Sequence, residues 1–330
     1  MTQHDDGTRL RHIKGLSNVP GSLAGCVLTM GNFDGVHRGH GRILSLAREL
    51  AASNGGKVVA MTFDPPPDLV VRPADAPKRL MPHEEKVQLL IQAGADVVVT
   101  AKPDRAMLMM PACDFLRDII VAKFSPRHIV EGENFFFGHG RAGTVEMLRQ
   151  QGPALGFDTH VVEPVHTQFE GQSVRISSTL IRQMLHEGRV EIAADMLGRC
   201  FALSNTVVLG DQLGRVLEFP TANIQPGQQI VPCDGVYAGW GELAGERFPA
   251  AISIGCKPTF GQHERFIEAN LVGASGDFYG QAIRVEFLAR LRDQLKFDSA
   301  EALKEQIAKD VQQVLKTVHE KSHGDGRLVD

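Results

Sequence analysis

The sequence changes rhythm near Leu197, and that change limits the fold more than any other feature. From Cys26 onward, short β-rich runs alternate with amphipathic helical stretches. Cys26–Met30, Val58–Phe63 and Asp96–Thr100 read as buried strands. Between the first two, Ile43, Leu44, Leu46, Ala47, Leu50 and Ala51 fall on one helical stripe, which Gly55-Gly56 stops. Helices are expected at Glu84–Ala93, Phe115–Phe124 and Thr144–Gln150, with extended runs at His128–Val130 and His160–Val165. Such alternation gives right-handed crossovers and an α/β, doubly wound parallel sheet, whose ligands sit at the strands' carboxyl ends. Between Phe201 and Leu291 helical periodicity is absent, and short extended runs are separated by Gly, Pro and Asp. That is the pattern of a small antiparallel β-barrel. The chain then returns to helix: Leu303, Ile307, Val311, Leu315 and Val318 form an apolar stripe, and Asp298 and Glu301 have capping-box spacing. The boundary is expected near residues 187–200, dividing the chain into domains 1–190 and 191–330.

A length of 330 residues suits two separate cores. The formal charge of −4 offers no global basic field, so neither nucleic acid nor membrane is an expected partner. Cys26, Cys113, Cys200, Cys233 and Cys256 are scattered and odd in number, which points to reduced thiols rather than a disulfide frame or a zinc cluster. The first residues are polar and lack the apolar core of a signal peptide. No apolar run approaches the roughly 20 residues that span a bilayer. A cytoplasmic protein acting on small molecules is expected, with self-association left open.

The first chemical string is Gly31-Asn32-Phe33-Asp34-Gly35-Val36-His37-Arg38-Gly39-His40, between the first strand and the first helix. Small residues there let the backbone approach phosphates at a helix N-terminus. His37 and His40, three apart on the first turn, can face one bound group and stabilise a phosphoryl transition state by hydrogen bonds. A second string, Ile176-Ser177-Ser178-Thr179-Leu180-Ile181-Arg182, combines N-cap hydroxyls with an arginine on the same first turn.

Together these strings resemble the HxGH and ISSTxIR signatures of the nucleotidyltransferase superfamily, which has a Rossmann-like sheet. In this form they resemble the prokaryotic bifunctional riboflavin kinase/FMN adenylyltransferases, the FAD synthetases. The resemblance extends over residues 20–320. It implies that Gly31, Asn32, Phe33, Asp34, Gly39, Ser177, Ser178, Thr179 and Arg182 handle ATP, with His37 and His40 catalytic. Asp64 and Pro65 follow the second strand and, with Asn134, are implied to contact FMN. The family's histidine after that proline is replaced by Pro66. In Glu131-Gly132-Glu133-Asn134-Phe135-Phe136-Phe137-Gly138, Asn134 replaces an acid and Phe136 a basic residue, leaving Arg141 as the candidate to restore positive charge.

In the second domain, Pro220-Thr221-Ala222-Asn223 is similar to the PTAN motif of riboflavin kinases. A Thr hydroxyl and an Asn carbonyl are hard oxygen ligands suited to Mg²⁺. The resemblance makes Thr221 and Asn223 metal ligands, Gly210, Gly214, Arg215 and Pro220 ATP contacts, and Glu268 the catalytic base. It places Arg292 and Phe297 at the flavin ring. Asn205, Leu213 and Glu218 depart from the family's pattern. The implied function is FAD synthesis: ATP-dependent phosphorylation of riboflavin to FMN, then adenylyl transfer from ATP to FMN with Mg²⁺. The alternative is FMN adenylyltransferase alone, with a weak or inactive kinase-like barrel. A flavin-carrying redox or sensor protein and a tRNA synthetase are disfavoured, the first by the paired phosphate strings and the second by the acidic charge.

Overall fold

The computed structural model describes residues 11–209, 221–225, 227–259, 262–276 and 278–324. They pack into two compact units: residues up to Pro77 with His83–Ile176, and Lys78–Pro82 with Ser177 onward.

In the first unit, β1 (His12–Lys14), β2 (Val27–Met30), β3 (Val58–Phe63), β4 (Val97–Ala101), β5 (His128–Gly132) and β8 (Asp158–Val162) form one sheet. Its order is β1-β4-β3-β2-β5-β8, and every neighbouring pair is parallel. All four residues of β2 and all five of β4 are buried, as near-continuous apolar runs covered on both faces should be. The helix Arg38–Asn54 returns from β2 to β3, burying Leu44, Ala47 and Ala51 of the expected stripe. It stops where Gly55 enters the left-handed region at φ 67°. Progression away from β2 runs through β3 and β4 on one side and β5 and β8 on the other. The β2–β5 border is therefore the point where strand order switches, the crevice in which open α/β sheets bind ligands. The expected helix at Phe115–Phe124 contains a π-helical stretch, Phe115–Val121. Short hairpins β6 (Phe136–Phe137) with β7 (Gly143–Thr144) and β9 (His166–Phe169) with β10 (Gln172–Arg175) complete the unit.

In the second unit, the helices Ser178–His186 and Val190–Leu197 precede a barrel. Its strands are β11 (Phe201–Val208), β12 (Thr221–Ile224), β13 (Gly235–Leu243), β14 (Glu246–Thr259), β15 (Gln262–Leu271) and β16 (Ala282–Arg292). The barrel closes in the order β11-β12-β15-β14-β13-β16 with antiparallel neighbours. The helix Ala300–Gly324 packs on its outside, where Val314 and Val318 meet Ala238, Ala251 and Leu288.

Two details of that helix differ from the sequence reading. Val314 is fully buried while Leu315 is 45% exposed, because 3.6 residues per turn carries the stripe from Val311 to 314 and then 318. The N-terminal cap is Ser299, whose hydroxyl accepts the Ala302 amide, one residue after the expected Asp298. Among the described residues, no helix is long and apolar enough to cross a membrane.

Candidate active sites

The first candidate site grows from the carboxyl end of β2. The Gly31 amide donates to the Met61 carbonyl, extending the β2–β3 ladder by one residue. The chain then turns through Phe33, Gly35 and Val36, all with positive φ (49°, 87° and 37°). Phe33 and the β-branched Val36 adopt this region only under strain, a cost concentrated at functional sites. Gly31 lies beneath the Phe33 ring, 3.3 Å from where a Cβ would sit. At Gly39 an added Cβ would be 3.1 Å from the His37 ring, so glycine lets that ring lie against the helix start.

His37 is the N-cap of the helix Arg38–Asn54, its Nδ1 accepting the His40 amide at 3.4 Å. With Nδ1 accepting, a neutral His37 ring carries its proton on Nε2. The His37 and His40 rings stack, with centroids 3.7 Å apart, and Phe33 meets His40 edge-on at 5.1 Å. The two histidines therefore form one paired unit at a helix N-terminus, where the backbone dipole favours an anion.

The turn is held by groups that sequence reasoning missed. The buried Lys86 ammonium donates to the carbonyls of Asn32 (3.0 Å) and Phe63 (3.1 Å), clamping the ends of β2 and β3. The Thr62 hydroxyl donates to the same Asn32 carbonyl. On the other side of β2 the Glu131 carboxyl accepts the Met30 amide at 2.6 Å. Asp64, at the end of β3, donates its amide to Ala101 of β4, and the Asp64–Pro65 peptide is cis. Nearby, the Thr100 hydroxyl joins His12 and His83, and burial pushes the His83 imidazole down to about 4.

Asn134 follows β5, and with its amide oxygen toward Arg175 it accepts from both terminal guanidinium nitrogens. Arg141, the expected source of compensating charge, lies over the Phe136 ring at 4.5 Å. Arg175 is thus the cation at Asn134, while Arg141 stands at Phe136, where the basic residue of the family's string is replaced. The sequence signal for Arg175 was only its place immediately before the Ile176–Arg182 string.

In the second unit, Ser177 caps the helix Ser178–His186, its hydroxyl accepting the Leu180 amide at 3.2 Å. Ser178 and Thr179 follow on the first turn, and Arg182 donates through Nε to the Lys78 carbonyl at 2.8 Å.

The barrel site is assembled across strands. In the β12–β15 register Asn223 lies opposite Glu268, and Thr221 opposite Asn270. Ser253 of β14 lies opposite Glu268 on the other side. Alternation places Ala222, Ile224, Ile267 and Ala269 in the buried interior. The expected metal ligands and the expected base therefore share one outer face, joined by Asn270 and Ser253. Period-two reading from Glu268 points to Asn270; Ser253 becomes legible only through the pairing.

Asn205 bridges the barrel, donating to the Gln225 carbonyl and accepting its neighbour Thr206's amide. Gly210, Leu213, Gly214, Arg215, Glu218 and Pro220 lie outside the described residues. Arg292 forms a bidentate pair with the buried Asp310 (2.9 and 2.7 Å) and donates to the Asp293 carbonyl, tying the C-terminal helix to β16. Phe297 is half-buried in the segment between β16 and that helix.

Comparison with known proteins agrees with this division. Residues 20–180 match the FAD synthetase family model, and residues 197–318 match the riboflavin kinase model. The bifunctional riboflavin kinase/FMN adenylyltransferase of Escherichia coli K12 is 38% identical over 305 residues, covering 91% of this chain and 95% of that protein. The chain belongs to the bifunctional riboflavin kinase/FMN adenylyltransferase family. A member from Haemophilus influenzae is 36% identical over 91% of this chain and 96% of its own, and one from Pseudomonas fluorescens 34% over 91% and 95%. A crystal structure from Streptococcus pneumoniae, described as a macrolide-efflux protein, overlays with TM-score 0.82 at 28% identity, covering 92% of this chain and 97% of that one. The family's two parts thus coincide with the parallel sheet and the barrel.

Proposed function

We propose that the protein makes FAD in two steps, phosphorylating riboflavin on the barrel and adenylylating FMN on the parallel-sheet domain. Residues 191–330 carry the first reaction and residues 1–190 the second. ATP is co-substrate in both. The carrying observation is the cross-strand constellation of Thr221, Asn223 and Glu268, in one chain with the stacked His37–His40 pair.

In the kinase step Glu268 accepts the proton of the ribityl 5′-hydroxyl as that oxygen attacks the γ-phosphorus, and ADP leaves. Thr221 and Asn223 supply neutral oxygens, and Glu268 opposite Asn223 brings the charge. Among the described residues no group of three or more His, Cys, Asp or Glu forms a metal cage. This hard-oxygen donor set would suit Mg²⁺, with Thr221 and Asn223 the residues that would hold it. When bound, the ion neutralises charge on the triphosphate. Gly210, Gly214, Arg215 and Pro220 are the proposed nucleotide contacts.

In the second step an FMN phosphate oxygen attacks the α-phosphorus of ATP and pyrophosphate leaves. His37 and His40 stabilise the charge developing on the phosphoryl oxygens, and the glycine turn admits the nucleotide. Ser177, Ser178, Thr179 and Arg182 are proposed phosphate contacts. Asp64, Pro65 and Asn134, with Arg175 beside Asn134, are the proposed FMN side. Arg292 acts here by holding the C-terminal helix behind β16, with Phe297 at the flavin end.

The kinase-inactive alternative rests on Asn205, Leu213 and Glu218, whereas Thr221, Asn223 and Glu268 all remain. The net charge supports an enzyme of small molecules without a nucleic-acid partner, and the scattered cysteines support a cytoplasmic one. The test is product analysis of the purified protein with riboflavin, ATP and Mg²⁺. FMN should appear first and FAD follow. FAD from supplied FMN but no product from riboflavin would leave only the adenylyltransferase.

A further inference from the structure

Glu131 is an acid in the middle of a hydrophobic sheet, and the function above gives it no role. It is 2% exposed. Among the described residues no lysine, arginine or histidine lies within ion-pair distance of it. Burial pushes its carboxyl well above the usual carboxylate range, opposed chiefly by the hydrogen bond from Met30. A buried carboxyl without a cation is costly and persists where something else requires it.

Its place in the sheet supplies the reason. The β2–β3 ladder runs to Met30↔Met61, and β5–β8 runs to Gly132↔Val162. Between them the β2–β5 ladder stops at Leu28↔Ile129. Continued by two residues, that register would set Met30 opposite Glu131. The two strands part there, and the amide of Met30 would face the opening without a main-chain acceptor. The Glu131 carboxyl takes that amide instead, at 2.6 Å. The next residue is Gly31, where the strained histidine-bearing turn begins. Lys86 holds the same turn from the β3 side through the Asn32 carbonyl.

We propose that Glu131 is a positioning residue for adenylyl transfer, its side chain spanning the open end of the β2–β5 ladder to fix the backbone from which the Gly31–His40 turn springs. This rests on the reading of that turn as the adenylyl-transfer site. The role needs an acceptor at the right reach and no negative charge. Glutamine meets it, aspartate falls one methylene short, and leucine offers no acceptor.

The test compares Glu131→Gln, Glu131→Asp and Glu131→Leu in the full chain, measuring kcat and KM for FMN adenylylation, riboflavin phosphorylation, and hydrogen exchange over residues 30–37. Misplacement of reacting groups by about 1 Å costs on the order of 100-fold in rate. Glu131→Asp and Glu131→Leu should therefore lose roughly 10- to 100-fold in kcat for FAD formation, with KM for FMN little changed. The 30–37 segment should exchange faster in both, and riboflavin phosphorylation should stay at the wild-type rate. Glu131→Gln should remain within about three-fold of wild type.

Wild-type kcat in Glu131→Asp, or a loss in folded Glu131→Gln equal to that in Glu131→Asp, overturns the proposal. Should Glu131→Leu fail to fold, the Gln and Asp pair alone decides. Wild-type protein that forms no FAD from FMN, or His37→Ala that forms it at full rate, would instead refute the reading of the site itself.

Discussion

The two sites of this enzyme are built on opposite plans. In the parallel sheet, the turn and both histidines form one string of ten residues, held by strained backbone and by buried groups on either side. In the barrel, Thr221 and Asn223 gain their partners only through strand pairing, with Glu268 more than forty positions away in sequence. The first plan makes local geometry the point of weakness, and the second makes register the point of weakness. A turn residue can be damaged without disturbing the sheet, whereas the barrel site depends on every strand keeping its alignment.

The largest expected effects fall on the acting groups. Glu268→Gln keeps the shape of the side chain but removes the base, and should slow riboflavin phosphorylation by about 10²–10⁴-fold while FMN adenylylation continues. Steady-state assays of each half-reaction check this, and a loss of only a few-fold would remove Glu268 from the role of base.

Next comes a test of whether register and its supports, rather than flavin contact, explain Arg292. Removing one partner of the buried Arg292–Asp310 pair should cost about 3–5 kcal/mol. Arg292→Ala and Asp310→Ala should lower the denaturant midpoint of the barrel alike. A selective rise in KM for riboflavin in Arg292→Ala, with stability unchanged, would return that arginine to the flavin site.

A smaller contrast lies in the C-terminal helix. Val314→Ala should destabilise by about 2 kcal/mol through its cavity. Leu315→Ala, exposed, should stay within about 0.5 kcal/mol of wild type. The smallest contrast is the cap: Ser299→Ala should cost about 1 kcal/mol and Asp298→Ala much less. Urea unfolding curves measure both pairs, and equal losses within either pair would contradict the packing described.

Legibility followed the same division. The doubly wound sheet was readable because buried parallel strands such as Val58–Phe63 are near-continuous apolar runs and their helices carry a 3.6-residue stripe. The ten-residue turn was readable because its chemistry is contiguous. Lys86 and Glu131 gave no comparable signal: a lysine on an amphipathic helix reads as solvated, and Glu131 falls just past the expected run His128–Val130, at the head of the string that ends at Gly138. Their meaning depends on which carbonyl or amide tertiary packing brings to them. β1 was missed because three residues, His12–Lys14, bury little and take their place only beside β4. In the barrel Glu268 was found through its motif, but its adjacency to Asn223 is a property of register. Arg292 shows a related limit: the sequence marks an arginine at a strand end, but its pairing with Asp310 is a property of packing.

The central claim is that two independent sites act in sequence, and complementation tests it most directly. His37→Ala and Glu268→Ala are each given riboflavin, ATP and Mg²⁺, alone and as an equal mixture, and FMN and FAD are followed by chromatography. His37→Ala should accumulate FMN and stop, Glu268→Ala should form nothing from riboflavin yet convert added FMN to FAD, and the mixture should carry riboflavin through to FAD. Folded variants that each lose both reactions, with no FAD from the mixture, would contradict the two-site account.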